Sequence, residues 1–500
     1  MPTSRTPLIT ATCAAALLSA PAAWADVTPE DVWEDWKALL SVYGEESVSW
    51  GDVSSTGGVL TVPNVRAEFS DDYSTGSVEM GDLVFTDLGD GTVRVTFPDR
   101  IPVLVAGQDG ETAEISVSMS NQNTIVSGEP GAMRYDITAD RTGIALDSLV
   151  VDGEPADVTA SLVMNNVDGT YSSTLDGEIR RLEQSFSASD AELFIDAKNP
   201  DLKDDYANVT GQMQGLTVRA DMSYEEGIDF DDPEALFEKG FALDAGYALE
   251  QGAYVFDVSD AGKRSNGSAS TGPARLDLVM GLAEGISYDA RVEDLKTFLG
   301  GDAMPLPVEF EVGSYTIGFQ MPLAPSDLPK PLRLEVGFVD IVLSEQIWGI
   351  FDPGQKLPRD PASIELAISG EAIVTEDLMN PEAMEGEEMP FELQSASIDK
   401  LRIDAVGLSA NGAGSFTFDN EDLSTYEGFP RPEGRAEVTI TGLNTLLDTL
   451  VEMGLLPQDQ VMGMRMMSGM FLRATGDDTL QSVVEIDKSG ALRVNDQRLR

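Results

Sequence analysis

Ala436-Glu437-Val438-Thr439-Ile440 alternates apolar and polar residues with a period of two, the pattern of a strand with one wet face and one apolar face. The alternation recurs upstream. Leu401, Ile403 and Ala405 enclose Arg402 and Asp404; Ile364, Leu366 and Ile368 follow the same rule around Glu365; Val93, Val95 and Phe97 enclose Arg94 and Thr96. Asp90-Gly91 and Asp168-Gly169 each follow an apolar run and read as antiparallel hairpin turns. A last strand pair is expected at 480–486 and 491–494, around Ser489-Gly490. The fold expected is therefore mainly β. Its one-sided strands must build a large curved or two-layer antiparallel sheet to hide their apolar face, with short helices as plugs or caps.

Those helices have their own signals. Thr28 is a good N-cap, Pro29 suits the first helical position, and Glu30 and Asp31 face the positive end of the dipole. Val32, Trp36, Leu39, Leu40 and Tyr43 then recur at helical spacing up to Gly44, with Trp33 adding to an aromatic face. Shorter helices are predicted at 235–240 behind Asp232-Pro233-Glu234, at 292–299 and at 344–351. Near the C-terminus the pattern predicts a helical hairpin. Asn444 caps a helix bearing Leu446, Leu447, Leu450, Val451 and Met453, Gly454 closes it, and Pro457 opens a second helix carrying Met462, Met466, Met467, Met470 and Phe471.

The chain has 500 residues, 32 Lys+Arg against 87 Asp+Glu, a formal net charge of −55, one Cys and no His. Without imidazole there is no Ser-His-Asp or Cys-His system and no His-ligated metal. The charge repels phosphate backbones, so no nucleic-acid partner is expected. Arg5, the apolar stretch 8–19 and Ala23-Trp24-Ala25 before Asp26 make a secretory signal peptide, with cleavage expected between Ala25 and Asp26. Cys13 lies inside that segment and lacks the aliphatic residue of a lipoprotein signal. After its removal no transmembrane segment is expected, and 26–500 reads as a single extended β-rich unit, with sub-boundaries placed in presumed loops at 263–273 and 379–390. A periplasmic location, or secretion as the alternative, follows.

Three stretches together resemble a known family: Ala25-Asp-Val-Thr-Pro-Glu-Asp-Val-Trp33, Phe351-Asp-Pro-Gly-Gln-Lys-Leu-Pro-Arg-Asp-Pro361, and Pro432-Glu-Gly-Arg-Ala-Glu-Val-Thr-Ile440 followed by Leu446-Leu447 and Gly454-Leu-Leu-Pro457. The family is the bacterial domain of unknown function 2125, found mainly in alphaproteobacteria. The resemblance spans most of the chain after the signal and implies an exported envelope protein, with no activity, ligand or catalytic residue to carry over. A looser likeness of architecture is to AsmA-like envelope proteins that handle lipids.

Reactive motifs are scarce. There is no phosphate-binding loop and no G-x-S-x-G elbow. Ser397-Ile-Asp-Lys400 spells S-x-x-K, but it leads into the Leu401 strand, where this spacing puts serine and lysine on opposite faces. Asp87-Leu-Gly-Asp90-Gly91 and Asn165-Asn166-Val-Asp168-Gly169 are oxygen-rich yet lack the D-x-[DN]-x-[DN]-G order of a calcium loop. No cofactor and no metal is expected. Met462, Met466 and Met470 lie at i, i+4 and i+8, with Met467 and Phe471 on the next row, so the helix has a soft apolar face. It either packs on the sheet or forms a lip for an apolar ligand or an envelope protein. The leading reading is a non-catalytic binding or scaffold protein for lipid-like or apolar ligands. The alternatives are an interaction module with a filled core and a carboxylate-dependent hydrolase.

Self-repulsion at −55 destabilises any compact state, and salt shortens its range to ~3 Å at 1 M. The melting temperature should therefore rise between about 0.05 and 1 M sodium chloride. A thermal melt that is flat or falling with salt contradicts this.

Overall fold

The structure, a computed structural model, describes residues 26–500 except 41–47, 71–73, 108–109, 200–203, 229–236, 238, 303, 305 and 379–388. The expected signal peptide with Ala25, Tyr43 with Gly44, and most of the presumed loop 379–390 lie outside the described residues. So do residues 235, 236 and 238 of the helix predicted at 235–240; of the rest, Phe237 is helical and Lys239 and Gly240 form a turn.

Strand accounts for 66% of the chain, and it forms one antiparallel sheet rather than several small ones. Strands adjacent in sequence are neighbours in space. Val59–Ser70 pairs with Ser74–Asp87. Ala132–Val151 leads through Asp157–Asp176 and Ile179–Lys198 to Tyr206–Glu225. From Gly285–Gly301 the ladder continues through Val308–Met321, Lys330–Leu343, Ala362–Val374, Phe391–Ala405, Leu408–Asp419 and Arg431–Thr441 to Thr479–Ile486. Between these runs the same device appears twice. Ser74–Asp87 is followed by four half-length strands that fill two rungs end to end before Ala132–Val151 resumes full length. Tyr206–Glu225 is followed by four more in the same order before Gly285–Gly301. The strands at the two ends, Val48–Ser49 and Gln497–Arg498, do not pair with each other, so the sheet is open. About twenty rungs at roughly 4.8 Å give a ladder on the order of 95 Å, and a sheet of that breadth curls.

A crease crosses the long strands at one level. On either side of it the apolar alternation has period two, but at the crease the step is three: Met164 to Val167, Ala188 to Ala191, Met213 to Leu216, Val292 to Leu295, Val312 to Tyr315, and Phe338 to Ile341. Alternate strands make the step with a left-handed residue, namely Asn166 (φ 50°), Gly215 (φ 62°), Asp294 (φ 51°) and Asp340 (φ 56°). Where neighbouring strands slip together, register is kept: Asn165 pairs with Asp190 and Asp168 with Ser187, while Glu293 pairs with Ser314 and Leu295 with Val312. Beyond Lys330–Leu343 the partner Ala362–Val374 steps by two, and a bulge between Phe338 and Ile341 takes up the difference. Polar groups at the crease pair across it. The Asn166 amide donates to Ser189 Oγ at 3.0 Å, the Asn121 amide to Asp140 at 2.6 Å, and the Asp340 N–H to Ser363 Oγ at 3.1 Å. The apolar side chains flanking the line pack together, as Ala188, Ala191 and Leu216 do against Met164, Val167 and Met213.

The crease accounts for one departure from the sequence reading. The helix predicted at 292–299 is the interior of strand Gly285–Gly301: the three-residue step from Val292 to Leu295 imitates helical spacing. The hairpin predicted at Asp168-Gly169 is likewise strand interior, and the glycine is needed because the Phe186 ring lies over it, 2.2 Å from where a Cβ would stand. The presumed loop at 263–273 contains strand Lys263–Thr271, paired on both sides, its small residues lying beside larger partners such as Phe256 opposite Gly267. The turn at Asp90-Gly91 does join Ser74–Asp87 to Val93–Thr96, and the last strand pair forms as expected.

Besides the helical turn at Phe237, four helices among the described residues decorate the sheet: α1 (Pro29–Leu40), α2 (Glu345–Phe351), α3 (Leu443–Glu452) and α4 (Gln458–Phe471). A capping box opens α1, where the Thr28 N–H donates to Asp31 and the Asp31 N–H to Thr28 Oγ1. Asn444 does not cap α3 but sits inside it. Gly442 (φ 83°) precedes the helix, and the Asp478 carboxylate accepts the N–H groups of Asn444 and Thr445, which holds Asp478 below the usual carboxylate range despite the opposing effect of burial.

Gly215 carries the crease where a side chain would be strained in φ and would press on Glu250. Gly215→Val should lower unfolding stability by about 2 kcal/mol, whereas Asn166→Gly should leave it nearly unchanged. Equal urea midpoints for Gly215→Val and wild type contradict the assignment.

Candidate functional site

Directly opposed residues in antiparallel strands share a face, so the pairing defines a continuous apolar surface. One row runs Ile101, Val117, Ile144, Leu162 and Leu193. The next runs Val103, Ile115, Leu146, Ala160, Ile195 and Val209, and continues through Phe256 and Leu299. Across the crease the same face carries Tyr315, Phe338, Ile364 and Ile403. The acids alternate out to the other face: Asp196 stands opposite Asn208, and Asn208 opposite Asp257. That face holds shallow depressions, one of about 820 Å3 between Glu68, Ser77 and Glu114, and one of about 410 Å3 between Val255, Phe298 and Val342.

Among the described residues the apolar face is sealed at one end only. There α1 lays Val32 and Trp33 onto Leu60, Val62, Leu83 and Phe85, all at most 4% exposed. Ile228, Phe237 and Phe241 extend the seal over Leu182 and Tyr224, where Leu39 of α1 also packs, and Tyr171 joins the two clusters. Farther along, the same face is uncovered: Ile144 is 38% exposed, Leu334 44%, Phe338 37% and Ile364 48%. Phe338 stands directly opposite both Tyr315 and Ile364, its ring 5.0 Å from that of Tyr315.

Under α1 lies a buried ion cluster that the sequence reading missed. Arg180, on the apolar face, meets Asp35 at 3.2 Å and the Glu226 carboxylate at 2.6 Å, and donates to Ser173 Oγ at 2.7 Å. The Tyr135 hydroxyl donates to the other Asp35 oxygen at 2.9 Å. Burial acts to lower the Arg180 pKa, but hydrogen bonding to Glu226 and the charge of Asp35 outweigh it and hold the guanidinium charged. Tyr135 and Tyr171 are pushed up by burial first and by Asp35 second, so both remain neutral. The available signal was Asp35 itself, three residues after Val32 and four before Leu39, a carboxylate on the stripe that must face the sheet. The cluster pins α1 and leaves no open polar cleft.

The methionines of α4 face outward. Met462, Met466, Met467 and Met470 are 64–73% exposed and Phe471 is 45% exposed, while Val461 is buried on the inner side. Arg465, also inward, reaches the Asn444 carbonyl at 3.0 Å and Asp448 at 2.8 Å. Ser397 and Lys400 lie within strand Phe391–Ala405, where Lys400 pairs with Glu365, so the S-x-x-K spacing assembles no serine and lysine pair. Asp26, at the expected cleavage point, is exposed. Among the described residues no group of three or more acidic side chains could hold a metal ion, and no helix is long and apolar enough to cross a membrane.

Residues 342–492 match the family model described as an uncharacterized protein conserved in bacteria (DUF2125). The match covers α2, the C-terminal strands and the α3–α4 hairpin. It leaves out the stretch 25–33 and so is narrower than the sequence resemblance implied. No curated protein and no solved structure matches the chain.

Asp35→Ala leaves Arg180 buried with Glu226 as its remaining carboxylate. Unfolding in urea should show a loss of roughly 3 kcal/mol, and Asp35→Ala combined with Arg180→Met should lose less. A double variant less stable than Asp35→Ala contradicts the pinning role.

Proposed function

We propose that this chain is a non-catalytic binding or scaffold protein of the bacterial cell envelope, exported by its first 25 residues, whose apolar sheet face takes lipid-like ligands. One observation carries the reading: a single apolar face is covered by α1 at one end and left half-exposed over Ile144, Leu334, Phe338 and Ile364. A surface of that size in water favours an occupant, and extended acyl chains suit it because they need only apolar contact along the strands. The crease serves this purpose by keeping acids off the face. The carboxylates whose pKa values clearly depart from the ordinary range, such as Asp190, Asp257 and Asp404, are all held low by hydrogen bonds, as structural acids are. A hydrolase acid would be held high.

Solvent extraction of the purified protein should release lipid, and a fluorescent fatty acid should bind. Phe338→Asp combined with Ile364→Asp should weaken that binding at least about tenfold. Absence of both extractable lipid and fatty-acid binding overturns the proposal.

A further inference from the structure

We propose that the α3–α4 hairpin is a membrane-docking element, which seats the outward side of α4 in the headgroup region of a lipid bilayer. The helix is turned inside out for a water-exposed element. Its inward side carries Val461, Arg465 and Ser468, with Arg465 paired to Asp448, and its outward arc carries Met462, Met466, Met470, Met467 and Phe471. Gly463 and Gly469 on this helix have open space where a Cβ would stand, with no described residue within 4 Å of it. Leu455, 51% exposed in the turn before α4, extends the patch.

Charge identifies the occupant. Residues 443–500, which hold the hairpin and the strands after it, carry eight acids and six bases and are nearly neutral, whereas the other 442 residues carry 79 of the 87 acids and 26 of the 32 bases. The hairpin thus stands at the one end of a strongly acidic molecule that a phospholipid surface does not repel. Arg473, 54% exposed and 3.8 Å from Asp496, stands two residues after α4, and Asn495 donates to the Phe471 carbonyl, which brings the last two strands, with Arg493 3.7 Å from Asp487 and the exposed Arg498, to the same end. An apolar arc beside arginines is the composition of an interfacial helix. Methionine adds side chains that adapt to disordered acyl chains.

The test is flotation of the purified full chain with phosphatidylcholine vesicles, with and without phosphatidylglycerol, on a density gradient. Wild type should float with both and continue to float in about 1 M salt, since the contact is apolar. Met462→Gln, Met466→Gln and Met470→Gln together should reduce the bound fraction about tenfold with an unchanged circular dichroism spectrum, because these side chains touch solvent already. Phe338→Asp with Ile364→Asp should float like wild type, which separates docking from ligand binding on the sheet. The proposal is overturned if wild type stays at the bottom of the gradient, if the triple variant floats as well as wild type, or if salt abolishes flotation. A wild-type dimer in light scattering that the triple variant abolishes, with no flotation by either, assigns the patch to a second copy instead.

Discussion

The apolar face stays on one side of this sheet because the long strands from Asp157–Asp176 to Lys330–Leu343 slip their alternation at the same level. A strand of twenty residues that kept a strict period of two would need no slip, but a single neighbour slipping alone would turn its acids onto the apolar side for the rest of its length. The collective step at Asn166, Gly215, Asp294 and Asp340 prevents this and preserves register as far as Lys330–Leu343, and the bulge between Phe338 and Ile341 then meets Ala362–Val374, which steps by two. The half-length strands belong to the same constraint. They end at the crease, where the chain runs straight on from one half-strand into the next, so the break at Glu250 between Leu249 and Gln251, or at 272–273 between Thr271 and Ala274, does there what a left-handed residue does within a long strand.

The charge of the chain is the other side of that alternation. Acids alternating with apolar residues are expelled to the opposite face and to the turns, where pairs such as Arg264 with Asp257 and Arg333 with Asp289 offset a little of the repulsion. Exposed pairs of this kind contribute little each, about 0–1 kcal/mol. Cohesion therefore rests on the ladder and on the sealed end under α1, where Val32, Phe85, Val93 and Val95 are wholly buried.

The β class, the first helix and the C-terminal hairpin were legible in the sequence because each rests on a local period and a local stop signal. The crease was not, because one non-local line of defects appears in any single strand as an isolated irregularity, and in 292–299 as a helix. Glycine misled for a related reason: at Gly169 and Gly267 it makes room for Phe186 and Phe256 on neighbouring strands, a cross-strand demand that no dipeptide rule contains. The ion cluster was half legible. Asp35 breaks the apolar stripe of α1, but Arg180, Glu226 and Tyr135 lie 145, 191 and 100 residues further on, and only the pairing of distant strands brings them together.

The two amphipathic helices are set in opposite senses, and the difference is structural rather than compositional. In α1 the apolar stripe and Asp35 face the sheet together, because Arg180 is already there to receive the carboxylate. In α4 the apolar row faces away, because Arg465 is held inward by the Asn444 carbonyl and Asp448, Val461 is buried beside it, and Asn495 fixes the Phe471 carbonyl at the far end. Rolling α4 to bury Met466 and Met470 would pull Arg465 from both partners and expose Val461. The exposure of the methionines is thus enforced by the same contacts that hold the helix in place.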